Sequence, residues 1–375
     1  MRGLSPGHVA EMVKKERRQL LRDTRTRLVM FVAPIIQLMM FGYAVNTDIR
    51  NTATIVVDQD RTSASRSLVE AFATTGRFRV VETSSHPRDL GRALDRGDAV
   101  VGIEIPSGFG RDLAAGRSEI QILVDGTQSN TATIARGYAM RVVEAFARER
   151  LAARPGYAAA PPGVDLRARA WYNPGLVSRL YNVPAVIGVV LLLMCLLLTA
   201  LAVAREREMG TLEQLLVTPL TPTELMLGKT IPVAVVGLID LALVTTVTVL
   251  WFDVPLRGSI PALVLAATLY ILAGLAAGLL ISTVSKTQQE AFMTMFLFIL
   301  PAVILAGFLY PVDTMPAFFR WLSLLDPVRH FLTIVRGIFL KGEGVLDLWA
   351  QYLTLAVMAA GALVFAVRRF RASVA

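Results

Sequence analysis

Cysteine is nearly absent from this chain: Cys195 stands alone among 375 residues, so no intrachain disulfide can form and no Cys-rich zinc or iron–sulfur site can be built. Histidine is almost as scarce, and His8, His86 and His330 lie too far apart in sequence to suggest a metal cluster. Charged residues make up only 18% of the chain, where ordinary soluble proteins carry about 25%. What takes their place is apolar. Hydrophobic residues reach 54% and the mean hydropathy is +0.55, so water alone is the wrong solvent. The net charge of +9 then points to a membrane surface before nucleic acid.

A bilayer core of about 30 Å is crossed by about 20 mostly apolar residues in a helix. Six stretches qualify as spans: 28–45, 183–204, 231–252, 260–283, 290–310 and 348–367. Gln37 is the only strongly polar member of the first, and Pro34, Pro232 and Pro301 fall inside or at the start of runs, as bundled membrane helices tolerate. The first run has span length, follows a long charged leader and lacks an A-x-A site, so it reads as a retained anchor. Eight basic residues in 1–27, and Arg368, Arg369 and Arg371 in the tail 368–375, put both termini in the cytoplasm. Residues 205–230 and 284–289 are then inside, and 46–182, 253–259 and 311–347 outside. Residues 1–27 should form an amphipathic helix with Val9, Met12, Val13, Leu20 and Leu21 as a broken apolar stripe. It is expected on the cytoplasmic leaflet, where each basic residue near anionic lipid contributes about 1 kcal/mol.

Residues 46–182 have a soluble composition without any lysine, and their 18 arginines against 15 acids leave only a modest positive charge. Runs at 52–58, 77–82, 98–105 and 118–125 are β-rich, with helical stretches near 63–75, 87–96, 106–116 and 128–153 between and after them. That alternation predicts an α/β layer domain, with 154–165 as a Pro/Gly/Ala linker. The segment contains no G-x-S-x-G, no H-E-x-x-H and no G-x-G-x-x-G after a strand, so nothing in it suggests catalysis. The fold class expected is a six-helix transmembrane bundle with an extracytoplasmic α/β domain inserted between the first and second spans.

The most informative stretch is REREMGTLEQLLVTPLTPTELMLGKT, residues 205–230. Glu206, Glu208 and Glu213 crowd a loop that the positive-inside bias would make basic. Gly210-Thr211 breaks and re-caps the helix, Leu212, Leu215 and Leu216 form an apolar set at i, i+3, i+4, and Thr218-Pro219 ends it. A restart follows, with Thr221 as N-cap, Pro222 at the first helical position and Glu224 as capping-box partner. A short amphipathic helix between two spans is suited to a groove on a cytosolic partner. Gly228-Lys229-Thr230 looks like the end of a nucleotide-binding P-loop, but Thr223 stands where that loop needs glycine and no strand precedes it, so ATP binding by this chain is not expected.

The E-R-E-x-G-T-x-E-x-L-x-x-T-P spacing resembles the coupling region of ABC type-2 permeases, the membrane subunits of ATP-driven exporters. Residues 171–184 (WYNPGLVSRLYNVP), 282–292 (STVSKTQQEAF) and 308–342 agree with that family, so the resemblance covers essentially the whole chain and is similar to its multidrug-export-like members. It implies a dimer of permeases, identical or closely related, and two ATPase subunits docked on the cytoplasmic loops, with ATP and magnesium bound by those partners and no cofactor here. In bacteria it implies the inner membrane, and it leaves room for a periplasmic adaptor. On this view Glu206, Glu208, Gly210, Thr211, Leu212, Glu213, Leu215 and Leu216 dock the ATPase, the leucines filling its groove and the carboxylates meeting basic residues on the rim.

Asp240 falls near the middle of the third span, where an unpaired charge costs several kcal/mol or about that much, so it marks either a translocation path or a hydrogen bond to Thr245 or Thr246. Gln288, Gln289 and Glu290 open the fifth span and are either pathway residues or a polar helix start. After Pro311 a re-entrant or interfacial helix pair is expected to close the outer side, with Asp326 as N-cap, Pro327 at the first helical position and Phe331, Ile334, Val335, Ile338 and Phe339 as the apolar face. Arg329, His330 and Arg336 would snorkel to headgroups or gate release. Two other classes compete: a proton-coupled secondary transporter using Asp240, and a membrane sensor or assembly protein. Against the first, no inverted repeat is evident.

Overall fold

The computed structural model describes residues 5–44, 51–127, 129–152, 171–173, 177–210 and 221–374. The chain divides into two compact units, one made of Met1–Asn46 with Ala170–Ala375 and the other of Thr47–Arg169. The first unit begins with α1 (Pro6–Arg22), which has proline in its first turn followed by strong helix formers, and ends where Asp23 turns extended. The chain re-enters a helix at once as α2 (Thr24–Ala44).

The second unit alternates β1 (Thr52–Asp58), α3 (Ser63–Thr74), β2 (Phe78–Ser84), α4 (Pro87–Arg96), β3 (Val101–Ile105), α5 (Phe109–Ala115), β4 (Gln121–Val124) and α6 (Ser129–Ala152). The strand order is β2-β1-β3-β4, with β1 parallel to both neighbours and β4 antiparallel to β3. As a central parallel strand, β1 is buried on both faces, and its Ile55-Val56-Val57 stretch is apolar on both. Val56 packs with Leu68, Phe72, Tyr138 and Phe146 under α3 and α6, while Ile55 and Val57 pack with Leu90 and Ala93 of α4. The connections reverse direction between β1 and β3, where α/β sheets commonly bind ligands. Here the crevice is filled from within: the Asp60 carboxylate accepts the backbone N–H groups of Gly108 (2.8 Å) and Gly110 (2.9 Å). Burial alone would raise the Asp60 carboxyl, but the Thr62 hydroxyl and the amides of Gly110, Gly108 and Phe109 together hold it below its usual value.

The first unit resumes with α7 (Ser178–Glu208), α8 (Pro222–Leu250), α9 (Ile260–Val284), α10 (Gln288–Leu305), α11 (Ala317–Leu322), α12 (Pro327–Arg336) and α13 (Trp349–Val374). Among the described residues, six helices are long and apolar enough to cross a membrane: α2, α7, α8, α9, α10 and α13. Helix α7 is buried along most of its length and packs against α2, α8, α9, α10 and α12, whereas α2, α10 and α13 are exposed over most of theirs. The expected restart at Thr221 is present as a capping box, its hydroxyl accepting from Glu224 N–H while the Glu224 carboxylate accepts from Thr221 N–H. It opens no separate helix: α8 runs on unbroken through Pro232. Asp326 caps α12 as expected, accepting from Val328 N–H at 3.0 Å. The Phe331 ring of α12 stacks on Tyr270 of α9 with centroids 4.2 Å apart, and the Tyr270 hydroxyl donates to the Gly188 carbonyl of α7.

Candidate functional site

Four consecutive charged residues, Arg205, Glu206, Arg207 and Glu208, close α7. Successive helical residues are rotated by about 100°, so four of them sweep a whole turn and face different directions. On a helix surrounded by others they reach three sides: Arg205 and Glu208, one turn apart, share α10, while Arg207 and Glu206 turn elsewhere. Arg205 Nε reaches Gln288 Oε1 of α10 at 3.5 Å. Arg207 donates to the carbonyls of Ser285 (2.9 Å) and Thr283 (3.4 Å), a cation at the C-terminal end of α9. Glu208 accepts from the backbone N–H (3.1 Å) and side-chain amide (3.0 Å) of Gln288, an anion at the N-terminal end of α10.

Glu206 turns to α8 and α1. Its Oε1 lies 2.9 Å from Lys229 Nζ, which is also 3.0 Å from Glu16 Oε1. The side chains of Lys229, Glu206 and Glu16 are 3%, 5% and 7% exposed, so this is a buried ionic cluster and not a surface bridge. Lys15, half-exposed, approaches the same Glu206 oxygen at 3.4 Å and brings the local charge to balance. Two further contacts seat α1 on α8. Ser5 N–H donates to Glu224 Oε1 at 2.6 Å, and Met12 lies so close over Gly228 that a Cβ there would stand 2.6 Å from the Met12 Cβ.

This geometry changes the expected role of several residues. Glu206 is spent on an internal cation and is not a carboxylate on an open rim, because the central position of α7 turns it inward. Glu208 is exposed and engaged with α10. Gly210 is exposed with φ +68°, the left-handed geometry that ends a helix and favours glycine. Thr211, Leu212, Glu213, Leu215 and Leu216 lie outside the described residues. Helix α1 does not merely rest on a leaflet: Met12 and Leu20 of its stripe pack on protein with Glu16 buried between them, while Leu21 is exposed.

The residues expected along a pathway fall in two places. Gln288 belongs to the charged end of α7, Gln289 is exposed, and Glu290 accepts from Lys286 N–H at 2.7 Å near the start of α10. Asp240 is eleven residues beyond Lys229, about 16 Å along α8. It is fully buried, and neither carboxylate oxygen has a hydrogen-bond partner among the described residues. Neither threonine considered for it reaches it: Thr246 donates to the Ala242 carbonyl, and Thr245 Oγ1 is itself without a partner.

Arg329, His330 and Arg336 each engage neighbouring protein groups. Arg329 donates to Ser323 Oγ (2.6 Å) and the Arg320 carbonyl, and His330 Nε2 lies 3.0 Å from the Leu324 carbonyl. Arg336 stacks over the Tyr181 ring at 3.8 Å and donates to the Gly307 carbonyl, tying α12 to the start of α7 and the end of α10. Arg329 and His330 thus satisfy carbonyls of the short helical segments 317–325, and Arg336 one just beyond the end of α10.

Glu16, Lys229 and Arg207 were missed from the sequence. Glu16 had a readable signal, standing four residues after Met12 and four before Leu20 in the apolar stripe, where a carboxylate needs a buried cation.

The family described as ABC-2 family transporter protein matches residues 25–368. The chain is 32% identical over 350 residues to the probable multidrug ABC transporter permease YbhR of Escherichia coli K12, covering 93% of this chain and 94% of that protein. It is likewise 32% identical over 344 residues to the probable multidrug ABC transporter permease YbhS, with 91% and 90% covered, and 30% identical over 365 residues to the inner membrane transport permease YhhJ, with 96% of each covered. Six long apolar helices and a match across nearly the whole chain lead to one conclusion: this protein belongs to the ABC-2 family of transporter permeases, as a membrane subunit of an ABC transporter.

Proposed function

We propose that this chain is the permease of an ATP-driven exporter, working as a dimer with a second copy or a close relative. A separate ATPase docks on residues 205–230 from the cytoplasm, and an amphipathic drug-like or lipid-like compound moves outward. The α/β unit is extracytoplasmic, both termini are cytoplasmic, and in a bacterium the membrane is the inner one. The observation that carries this reading is the end of α7, where Arg205, Glu206, Arg207 and Glu208 reach α8, α9, α10 and α1 directly before the 209–221 loop. A push on that loop by a partner is delivered to four helices at once. Docking itself is assigned to Gly210, Thr211, Leu212, Glu213, Leu215 and Leu216, with exposed Glu208 beside them and Glu206 as their internal anchor. The test is purification from native membranes. A stoichiometric cytosolic ATPase, and ATP-dependent uptake of ethidium or of a labelled phospholipid into inside-out vesicles, are expected.

One observation favours a second reading. Asp240 is buried in a span with neither carboxylate oxygen partnered among the described residues, as a proton-carrying acid of a secondary transporter would be. Flux driven by a proton gradient, without any ATPase bound, would support that reading over the first.

A further inference from the structure

Gly228-Lys229-Thr230 fits no nucleotide loop, and in the structure each of the three has a mechanical task. Thr230 returns its hydroxyl to the Met226 carbonyl at 2.9 Å, Gly228 makes room for Met12, and Lys229 joins Glu206 to Glu16. We propose that Lys229 is the positioning residue of the coupling device, holding the two arms of the 209–221 loop together and fastening α1 to both; this rests on the coupling reading above.

Glu206 stands on the incoming arm, four residues before Gly210, and Lys229 on the outgoing arm, eight residues after Thr221. Glu16 belongs to neither arm. Its helix α1 leads through Asp23 directly into the apolar helix α2. One ammonium therefore links three elements that are otherwise distant in sequence, at 2.9 and 3.0 Å. The kind of bond matters. Apolar faces slide over one another at little cost, whereas separating a buried ion pair leaves uncompensated charge on both sides. Lys229 also donates to the Ala202 carbonyl at 3.3 Å, one turn back along α7, which fixes the lysine against the arm as well as against its carboxylate. The ends of α7 and α8 and the whole of α1 then move as one body, and displacement of the loop reaches α2 through α1.

Hydrogen exchange on the complete transporter, permease with its ATPase in nanodiscs, tests this. Exchange of the α1 amides (6–22) is followed without nucleotide and after trapping with ATP and vanadate. In the parent, α1 is expected to stay protected in both states. Lys229→Met should speed α1 exchange by at least about tenfold in both, with Lys229→Arg restoring most of the protection. Should Lys229→Met fail to fold, Lys229→Met with Glu16→Gln and Glu206→Gln leaves no uncompensated buried charge, and the same acceleration is expected. Unchanged α1 exchange in the folded variant, or loss of α1 protection in the parent on trapping, overturns the proposal. Failure of the broader reading is separately visible: no ATPase would co-purify and no helix would respond to ATP, while α1 protection without nucleotide would still report on Lys229.

Discussion

Replacing Gly228 by alanine tests whether α1 is seated on α8 by close fit. A Cβ at this position would lie 2.6 Å from the Met12 Cβ, against ordinary contact of about 3.5 Å, so α1 must withdraw by about 0.9 Å. Overpacking of this kind costs about 1–3 kcal/mol, while alanine in a helix interior recovers about 0.5–1 kcal/mol relative to glycine, leaving a net loss of about 1–2 kcal/mol. The displacement also lengthens the neighbouring polar contacts. The 2.6 Å bond from Ser5 N–H to Glu224 and the 3.0 Å pair between Lys229 and Glu16 lie on either side of Gly228 along α8; a withdrawal of about 0.9 Å takes the first to the limit of a hydrogen bond and the second beyond it. The assay is thermal unfolding of the purified permease with hydrogen exchange on α1. Met12→Ala removes the nearer Cγ but leaves the Cβ at 2.6 Å, so it should rescue the variant only in part, whereas Met12→Gly should rescue it fully, with a coupling of about 1–2 kcal/mol in a double-mutant cycle. If Gly228→Ala melts at or above the parent temperature with α1 exchange unchanged, helix propensity alone decides the outcome and the steric seat is refuted.

Three other outcomes are expected. Gly210→Pro removes the N–H that donates to the Arg207 carbonyl and forbids the left-handed φ of +68°, and Glu213→Arg reverses charge on the docking loop. Both should abolish transport with normal membrane insertion, and normal ATPase co-purification and transport in both would remove the docking assignment. Asp240→Asn keeps shape and removes the charge, and a lost or pH-independent flux in inside-out vesicles is expected; parental rate and pH profile would put Asp240 outside the pathway. In the α/β unit, the Asp60 carboxyl is held below the ordinary value of 3.8, so its contribution to stability is complete above that value and is lost as pH falls through the lower folded pKa. Exchange at 59–62 and 106–110 should therefore rise on acidification below about pH 4, and Asp60→Asn should flatten that rise.

Much of the fold was readable because membrane and sheet periods leave strong local marks. The apolar runs located the long helices, and Thr221-Pro222-Glu224 and Asp326-Pro327 marked helix starts that the structure places at those residues. The α/β unit was equally legible, since its β-rich runs alternate with helical stretches and β1 carries the β-branched Thr54-Ile55-Val56-Val57 of a buried strand. What could not be read was the direction of a charged side chain. Arg205, Glu206, Arg207 and Glu208 look like a solvated loop entry, and whether such residues point outward depends on whether the helix that carries them is peripheral or central. Composition does not say which. The carbonyl partners of Arg329, His330 and Arg336 could not be read for the same reason, because they belong to segments whose packing is not encoded locally.

The charges at the end of α7 also explain why a loop between two spans can be both adaptable and mechanically effective. A docking helix must match a partner's groove, so its specificity can rest on exposed residues with few internal ties. Force transmission requires the opposite, with every degree of freedom next to the contact removed. The chain separates the two demands along the sequence at Gly210, where the left-handed turn ends α7. Before it, each charge is committed to a neighbouring helix, Arg205 and Glu208 to α10, Arg207 to the end of α9, and Glu206 to α8. Exchange of residues 211–220 for those of a related permease should therefore redirect ATPase choice while leaving the stability of the helical unit unchanged. The same exchange begun at Arg205 should destabilise it, because Lys229 would lose its Glu206 counter-ion or find it displaced, at a cost of about 3–5 kcal/mol for a broken buried pair. Equal melting temperatures for the two chimaeras would show that the division at Gly210 has no mechanical meaning.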